Sequence, residues 1–443
     1  MIIIADKPTV SAEVANAILR KHTARGGVFI DLDRACDYKT YYHYELQKEA
    51  AKFGKLLGRN AYVVLPQTVK EDFAVFFPHE IQFLRKNLND PYSDLTTEAK
   101  ELDKRIQQGM FSKDAITYLK NYTALSRLKK GIGSCNSFLK APILKAQSFE
   151  GHRMVLVRPI WTILNTGRQA SKEPSVQNIA KNTADLITYP EHYKLLRYDS
   201  GQIEPRITWS HFLEDKLMKD LITGYDDAYF GQLQFILMSD EEMAAIRRGD
   251  RQLVLMEITQ DIKDLRTDLK KLSLIGTYDG GLDQFDPKLA NGYIKRIRNH
   301  PKRLEWMERV KAQVKSGQNI FYSAFGTPII PKENSKYSPG TKAWEGHVER
   351  CGINNPIQAT AADLMNQSVY EQDKILREES SGKSWIGYYK HDEGCTYLHE
   401  DDYDLEEKIT GTTAYQVRDW IPIHNEVEVG MLSGKIPNYM TAI

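Results

Sequence analysis

Residues Trp385–Leu398 read WIGYYKHDEGCTYL. Two runs rich in aromatic residues flank the polar insert His391-Asp392-Glu393-Gly394, the pattern of two strands joined by a tight turn, with Gly394 supplying turn freedom. A hairpin of this kind between sheet strands projects Asp392 toward whatever the neighbouring strand ends on. Beside a strand that ends at Asp199, such a hairpin would bring the two acids together. The segment Asp199–Arg206, DSGQIEPR, follows Tyr193, Leu195 and Leu196, so a strand delivers Asp199 at its end. Two carboxylates at adjacent strand ends suit divalent cations, because each can bind a metal and leave coordination sites for phosphate oxygens and water.

Two helical stretches add phosphate- and duplex-binding chemistry. In Arg266–Tyr278, RTDLKKLSLIGTY, the residues Arg266, Lys270, Leu274 and Tyr278 recur at four-residue steps. Each such step on a helix advances about 40° beyond a full turn, so two long cations, an aliphatic residue and a ring share one broad face. Guanidinium grips phosphate oxygens as a fork and ammonium as a point charge. In Glu349–Asp363, ERCGINNPIQATAAD, a helix places Arg350, Asn354 and Gln358 on one polar face. Ile357, Ala361, Leu364 and Met365 then form an apolar face that can dock on a sheet, with Pro356 near the helix start or at a kink.

Composition sets the frame around these stretches. With 443 residues, 41% apolar and 27% charged, the chain has material for two to four domains or subdomains. A formal net charge of +1 decides nothing about nucleic acid, since a basic groove can be balanced elsewhere. Local basic runs with interleaved aromatics, Lys113–Lys130 and Lys295–Lys311, are candidates for duplex contact. Cys36, Cys135, Cys351 and Cys395 form no CxxC pair, which predicts neither a zinc site nor a disulfide framework and fits a reducing cytosol. No apolar run approaches ~18 residues, so no membrane span is expected.

Toward the N-terminus the reading is a β-α-β-α-β order: strands at Ile2–Ala5, Val28–Asp31 and Tyr62–Leu65, helices at Val10–Lys21 and Tyr42–Leu57. Asp31 and Asp33 make a DxD pair, which surface acids flanking a strand explain without a metal. Helical spacing continues through Glu80–Asn87, Thr96–Gln108 and Ser112–Lys130, and Gly131-Ile132-Gly133-Ser134 is expected to end it.

The ordered set of stretches resembles family A (polymerase I-like) DNA polymerases. Thr166–Ala180, TGRQASKEPSVQNIA, is similar throughout to that family's TGRLSS..PNLQNIP segment; DSGQIEPR resembles DYSQIELR; the Arg-Lys-Tyr helix resembles the fingers helix, with Leu274 departing from an aromatic; ERCGINNPIQATAAD is close to ERMAINAPIQGTAAD; and His391-Asp392-Glu393 matches the family's His-Asp-Glu turn. The alternative turn His424-Asn425-Glu426 is set aside, because IPIHNEVEVG matches the family's final strand. The resemblance covers about Met110 to the C-terminus.

What the resemblance implies is an α+β right-hand fold: a palm of antiparallel sheet, with helical thumb and fingers, plus a small N-terminal α/β region. The implied divisions are 1–66 for that region, 67–150 thumb, 151–215 first part of the palm, 216–345 fingers and 346–443 second part of the palm. It further implies template-directed DNA synthesis on a primer 3′-hydroxyl, with two Mg2+ ions, replaceable by Mn2+, on Asp199 and Asp392. Glu393 would be a supporting acid. Arg266, Lys270, Leu274, Tyr278 and Gln202 would face the incoming deoxyribonucleoside triphosphate. Glu204 would be the steric gate against a ribose 2′-hydroxyl. Arg168, Gln177, Asn178, Arg350, Asn354, Gln358 and His391 would hold primer-template DNA. A cytoplasmic, nucleoid-associated enzyme of a bacterium or phage-infected cell is implied. The proofreading exonuclease domain is expected to be absent, leaving a separate exonuclease or processivity factor as further partners. Two other classes share some of these features: a single-subunit RNA polymerase-like enzyme, which Glu204 disfavours, and a catalytically inactive nucleic-acid-binding accessory protein, which the presence of Asp199, Lys270 and Asp392 disfavours.

Overall fold

The computed structural model describes all residues except 5–7, 9, 59–65, 86–93, 98–101, 104, 107, 141–144, 150–151, 180, 277–281, 283–284, 334–337, 418 and 430–443. The chain divides into two compact units, one of residues 1–29, 156–177 and 188–432 and the other of 30–155, 178–187 and 433–443.

The first unit holds a four-stranded antiparallel sheet. In chain order its labelled elements are β1 (Ile2–Ile4), α1 (Ala12–Arg25), β2 (Tyr193–Ser200), α2 (Ala228–Leu237), α3 (Gln260–Gly276), α4 (Lys342–Glu378), β3 (Trp385–Lys390), β4 (Glu393–His399), β5 (Tyr415–Val417) and β6 (Asn425–Val429). The sheet order is β3-β4-β2-β6, so β2 is central and both of its edges are paired. Successive residues of a strand face opposite sides. On one side Tyr198 donates its hydroxyl hydrogen bond to Gln372 Oε1 of α4 at 2.8 Å, and Ser200 lies against Met365 of the same helix. Arg197 and Asp199 therefore occupy the other side.

α4 runs unbroken for 37 residues although Pro356 lies inside it. Thr360 donates back to the Pro356 carbonyl at 2.7 Å, and the face bearing Ile357, Ala361 and Leu364 is buried as the sequence pattern predicts. At the N-terminus, β1 pairs in parallel with β5, Ile2 opposite Tyr415, and α1 packs on α4 and β3. A buried polar link ties these helices together. His22 Nδ1 accepts from the Ile386 backbone at 3.3 Å, which leaves Nε2 to donate to Asp373 at 2.9 Å, and Lys21 reaches the same carboxylate at 3.1 Å. Burial pushes the Asp373 carboxyl up, but the hydrogen bonds from His22 and Lys21 outweigh it and bring it down to about 2. A carboxylate depressed on folding contributes stability above its unfolded value, and that contribution is lost as pH falls through the folded one. Asp373→Asn should therefore cost about 1 kcal/mol in urea unfolding at pH 7, allowing for solvent screening, with the difference vanishing between about pH 4 and pH 2.

A second core of the same unit gathers Trp209, Leu217, Leu221, Phe235, Leu269, Leu272 and Leu289. It fixes α3 by Leu269 and Leu272 and leaves Arg266 and Lys270 on the outer side. The basic run Lys295–Lys311 is divided by Pro301, the first residue of a new helix, and much of its charge is neutralised locally: Lys295 by Asp240 at 2.7 Å, Lys302 by Glu214 at 3.0 Å and Lys311 by Glu308 at 2.8 Å. Among the described residues, no helix is long and apolar enough to cross a membrane.

In the second unit the helix expected from Tyr42 starts at Leu32, because Asp31 caps it by accepting from the Arg34 backbone at 2.9 Å. Asp33 is held by Arg153, so the DxD pair is a cap and an ion pair. The helix expected to stop at Gly131 continues from Lys113 to Leu139. A Cβ on Gly131 would stand 2.9 Å from the Tyr42 ring, so this glycine permits close helix contact and does not break the chain. Phe53, Phe73, Phe77 and Phe111 pack around Tyr118 and each other, and Tyr118 donates to Asp72 at 2.5 Å. The expected helix at Glu80–Asn87 is a single tight turn over Ile81–Leu84, while Tyr62–Leu65 and part of Thr96–Gln108 lie outside the described residues.

Candidate active site

The two acids predicted to meet do meet. Asp199 is the penultimate residue of β2, with Glu393 of β4 opposite it on one side and Glu426 of β6 on the other. The β3–β4 turn closes on His391 and Asp392 alone, with Lys390 paired to Glu393 and His391 in the left-handed region at φ 56°. Ser200 N donates to the Asp392 carbonyl at 2.9 Å, which fastens the turn to the central strand. Gly394 lies in β4 and not in the turn, contrary to the sequence expectation. Its lack of a side chain makes room for the Tyr198 ring, 2.2 Å from where a Cβ would stand.

Acids outnumber the cation paired with them in this row, where Arg197 holds Glu393 and Asp199 and Glu426 stand beside it. Three carboxylates stand abreast across three strands, an arrangement that like charges disfavour. Asp199 Oδ1 is buried without a hydrogen-bond partner. Burial raises the Asp199 carboxyl, and the charges of Asp392, Glu393 and Glu426 raise it further. Burial likewise raises Asp392, with Glu204 adding to it. A buried acceptor with no donor is costly unless something cationic meets it, so the residues fit a divalent ion. Among the described residues, no group of three or more Asp, Glu, His or Cys is placed to hold a metal ion by itself. Any ion held here would complete its shell with oxygens from substrate and water.

Around the acids, several of the predicted binding residues are already engaged with other groups of the protein. Arg168 follows the positive-φ Gly167 in the loop between the strands Ile160–Ile163 and Gln169–Lys172, and it forms an ion pair with Glu204. Partial desolvation and the cations Arg168 and Lys390 hold the His391 imidazole below its ordinary range. Gln177 is spent on backbone: its Oε1 accepts from Ser171 N at 2.7 Å, and its amide donates to the carbonyls of Gln169 and Tyr389. Gln202, in the left-handed region at φ 55°, donates to Asp227 at 2.8 Å and accepts from Ala228 N.

Asp227 is a residue sequence reasoning passed over. It caps α2 by accepting from Tyr229 N and Phe230 N, and its other oxygen takes both Gln202 and Arg266, whose Nε lies 3.1 Å away. An Asp just before an apolar helix was a legible cap signal; its partner 39 residues away was not. Burial opposes ionisation of Asp227, but Arg266 and the other donors prevail and lower it. The Arg266 guanidinium also lies over the Tyr229 and Phe230 rings, 5.4 and 5.3 Å from their centroids. Lys270, one helical turn on, is exposed, 5.8 Å from the Tyr229 ring centroid, and makes no ion pair among the described residues. Tyr278 and the side chains of Leu274 and Asn178 lie outside the described residues. On α4, Arg350 is exposed and Asn354 and Gln358 half-buried at successive turns, with Asn354 Oδ1 buried and unpartnered.

The POL domain of Pol1 from M. smegmatis, in complex with DNA primer-template and dNTP, has a similar fold, with a TM-score of 0.70 and 20% identity over 95% of this chain and 69% of that one. The chain has the fold of that POL domain. Among curated proteins the chain is similar to DNA polymerase I of Pseudomonas aeruginosa, 30% identical over 253 residues, and of Bacillus subtilis, 23% identical over 313 residues. These matches take in 53% and 67% of this chain but only 25% and 32% of the two relatives. No family model matches the chain. Its antiparallel palm sheet bears out the α+β reading.

Proposed function

We propose that the chain is a DNA-directed DNA polymerase that extends a primer 3′-hydroxyl with deoxyribonucleotides, in replication or repair of a bacterial or phage genome and in the cytoplasm. The observation that carries this is the juxtaposition of Asp199 and Asp392 at the end of the central strand, with a buried carboxylate oxygen left unpaired. Its relatives named DNA polymerase I support the same reading. Bound on these two aspartates, Mg2+ ions would supply Lewis-acid activation of the attacking hydroxyl and charge neutralisation at the leaving pyrophosphate. Mn2+ can fill the same role.

The protein's own part is positioning. Lys270 offers a point charge to the triphosphate, while Arg266, held by Asp227 and stacked over Tyr229 and Phe230, offers a guanidinium already oriented. Arg168 and the α4 residues Arg350, Asn354 and Gln358 present donors to acceptors that every base pair shows in the minor groove, so the template selects the base by pairing and the protein reads shape. Arg168 must share or release Glu204 to do so. Primer-template DNA and deoxyribonucleoside triphosphates are the partners this requires.

Glu204 serves as the gate, occupying the space beside the sugar that a 2′-hydroxyl would need. Glu204→Ala should raise ribonucleotide incorporation relative to deoxyribonucleotide by about a hundredfold, the discrimination a pocket achieves against one added group. Competing kcat/KM for a ribonucleotide and its deoxy counterpart measures this; an unchanged ratio would remove Glu204 from that role. Template-dependent primer extension with Mg2+ tests the proposal as a whole.

A further inference from the structure

We propose that Arg197 is a positioning residue that grips Glu393, keeps it out of the metal-binding set and fixes the turn carrying Asp392. This rests on the metal-binding reading of Asp199 and Asp392. Glu393 follows Asp392 directly and stands opposite Asp199, where a third acid would be expected to join an ion. Its two oxygens are instead taken in a fork, Arg197 Nε to Oε1 at 3.1 Å and Nη2 to Oε2 at 2.9 Å, and Tyr388 donates its hydroxyl to Oε1 at 2.9 Å. Both charged side chains are about four-fifths enclosed, at 21% and 18% exposure. Paired arginine and carboxylate in this geometry are fixed in direction as well as charge.

The placement gives the fork its leverage. Arg197 lies two residues before Asp199 on β2, so both project from the same side of the sheet. The row Glu393, Asp199, Glu426 carries three like charges abreast, and Arg197 cancels one of them from the next row. The fork also crosses from β2 to the first residue after the turn. Asp392 is thereby held between this bond and the Ser200 N bond to its own carbonyl.

Freed from Arg197, Glu393 would become a third carboxylate beside the ions, binding metal better and placing Asp392 worse. The test measures Mn2+ binding by the electron paramagnetic resonance of free Mn2+, without nucleotide, together with kcat and KM. Arg197→Met should bind Mn2+ about three- to tenfold more tightly and lose at least about tenfold in kcat with little change in KM. Arg197→Lys, which keeps the charge and loses the fork, should fall between. The double variant Arg197→Met with Glu393→Gln should return to the parent's Mn2+ affinity within about twofold. Mn2+ binding by Arg197→Met that is unchanged or weaker, or a double variant as tight as the single, overturns the proposal. If Arg197→Met lacks a cooperative thermal transition, Arg197→Lys decides: its tighter Mn2+ binding must disappear in the Glu393→Gln background, and persistence there overturns the proposal. Mn2+ binding that survives Asp392→Ala would overturn the metal reading itself, whereas loss in Asp392→Ala with no response to Arg197 overturns only this inference.

Discussion

Asp392→Ala lowers the rate of nucleotide addition by roughly a thousandfold or more while leaving primer-template affinity close to that of the parent. A metal that stabilises transition-state charge by several kcal/mol corresponds, at about 1.4 kcal/mol per tenfold, to a loss of that size. Duplex affinity comes chiefly from phosphate contacts by cations, and Asp392 makes none. The variant should also fold well. Asp392 stands against Asp199 in a corner where burial and neighbouring charges already raise both carboxyls. Removing one charge relieves repulsion, so the thermal midpoint without metal should hold or rise while stabilisation by Mg2+ disappears. Rapid-quench incorporation, filter binding and thermal melts measure the three quantities. A variant that retains synthesis would sink the metal assignment, and one that loses duplex binding in proportion would point to misfolding.

Lys270→Ala has the second-largest expected effect, a fall of about a hundredfold in kcat/KM for the nucleotide. A charge-assisted hydrogen bond to phosphate contributes about 1.5–3 kcal/mol, and more where charge grows on the leaving group. Because that growth occurs in the transition state, most of the loss should appear in kcat. Arg266 should behave differently. Its guanidinium is already held by Asp227, so Arg266→Ala weakens ground-state binding and appears mainly in KM. Pre-steady-state nucleotide titrations separate the two. If Lys270→Ala changes neither constant, the helix face bearing it does not meet the triphosphate.

The parts of this architecture that were legible in the sequence are those written in local pattern. Trp385–Leu398 forms its hairpin because its flanks are strand-like and its insert polar; Lys342–Glu378 forms its helix because Ile357, Ala361 and Leu364 repeat on one face. Hence the strand ending near Asp199 and the turn bearing Asp392 were read from sequence, and Arg350, Asn354 and Gln358 were assigned to one helical face. The charge pairs that shape the site were not legible. Arg168 and Glu204 are 36 residues apart, Arg266 and Asp227 are 39 apart, and Arg197 and Glu393 are 196 apart. Each is made by the tertiary fold, and none leaves a periodic trace along the chain. The glycines misled for a related reason. Gly131 and Gly394 looked like chain breakers, yet each is required by a tyrosine ring supplied from another element, Tyr42 and Tyr198. The pairing of β1 with β5 joins residues near the two ends of the described chain, which no local reading could anticipate.

Single-nucleotide addition to a labelled primer, with each of the four deoxyribonucleotides and ribonucleotides offered separately opposite each template base, tests the central claim most directly. The result expected is Mg2+-dependent addition of the complementary deoxyribonucleotide, abolished in Asp392→Ala. Addition that ignores the template, a preference for ribonucleotides, or failure of the folded, primer-template-bound protein to add any nucleotide would contradict it.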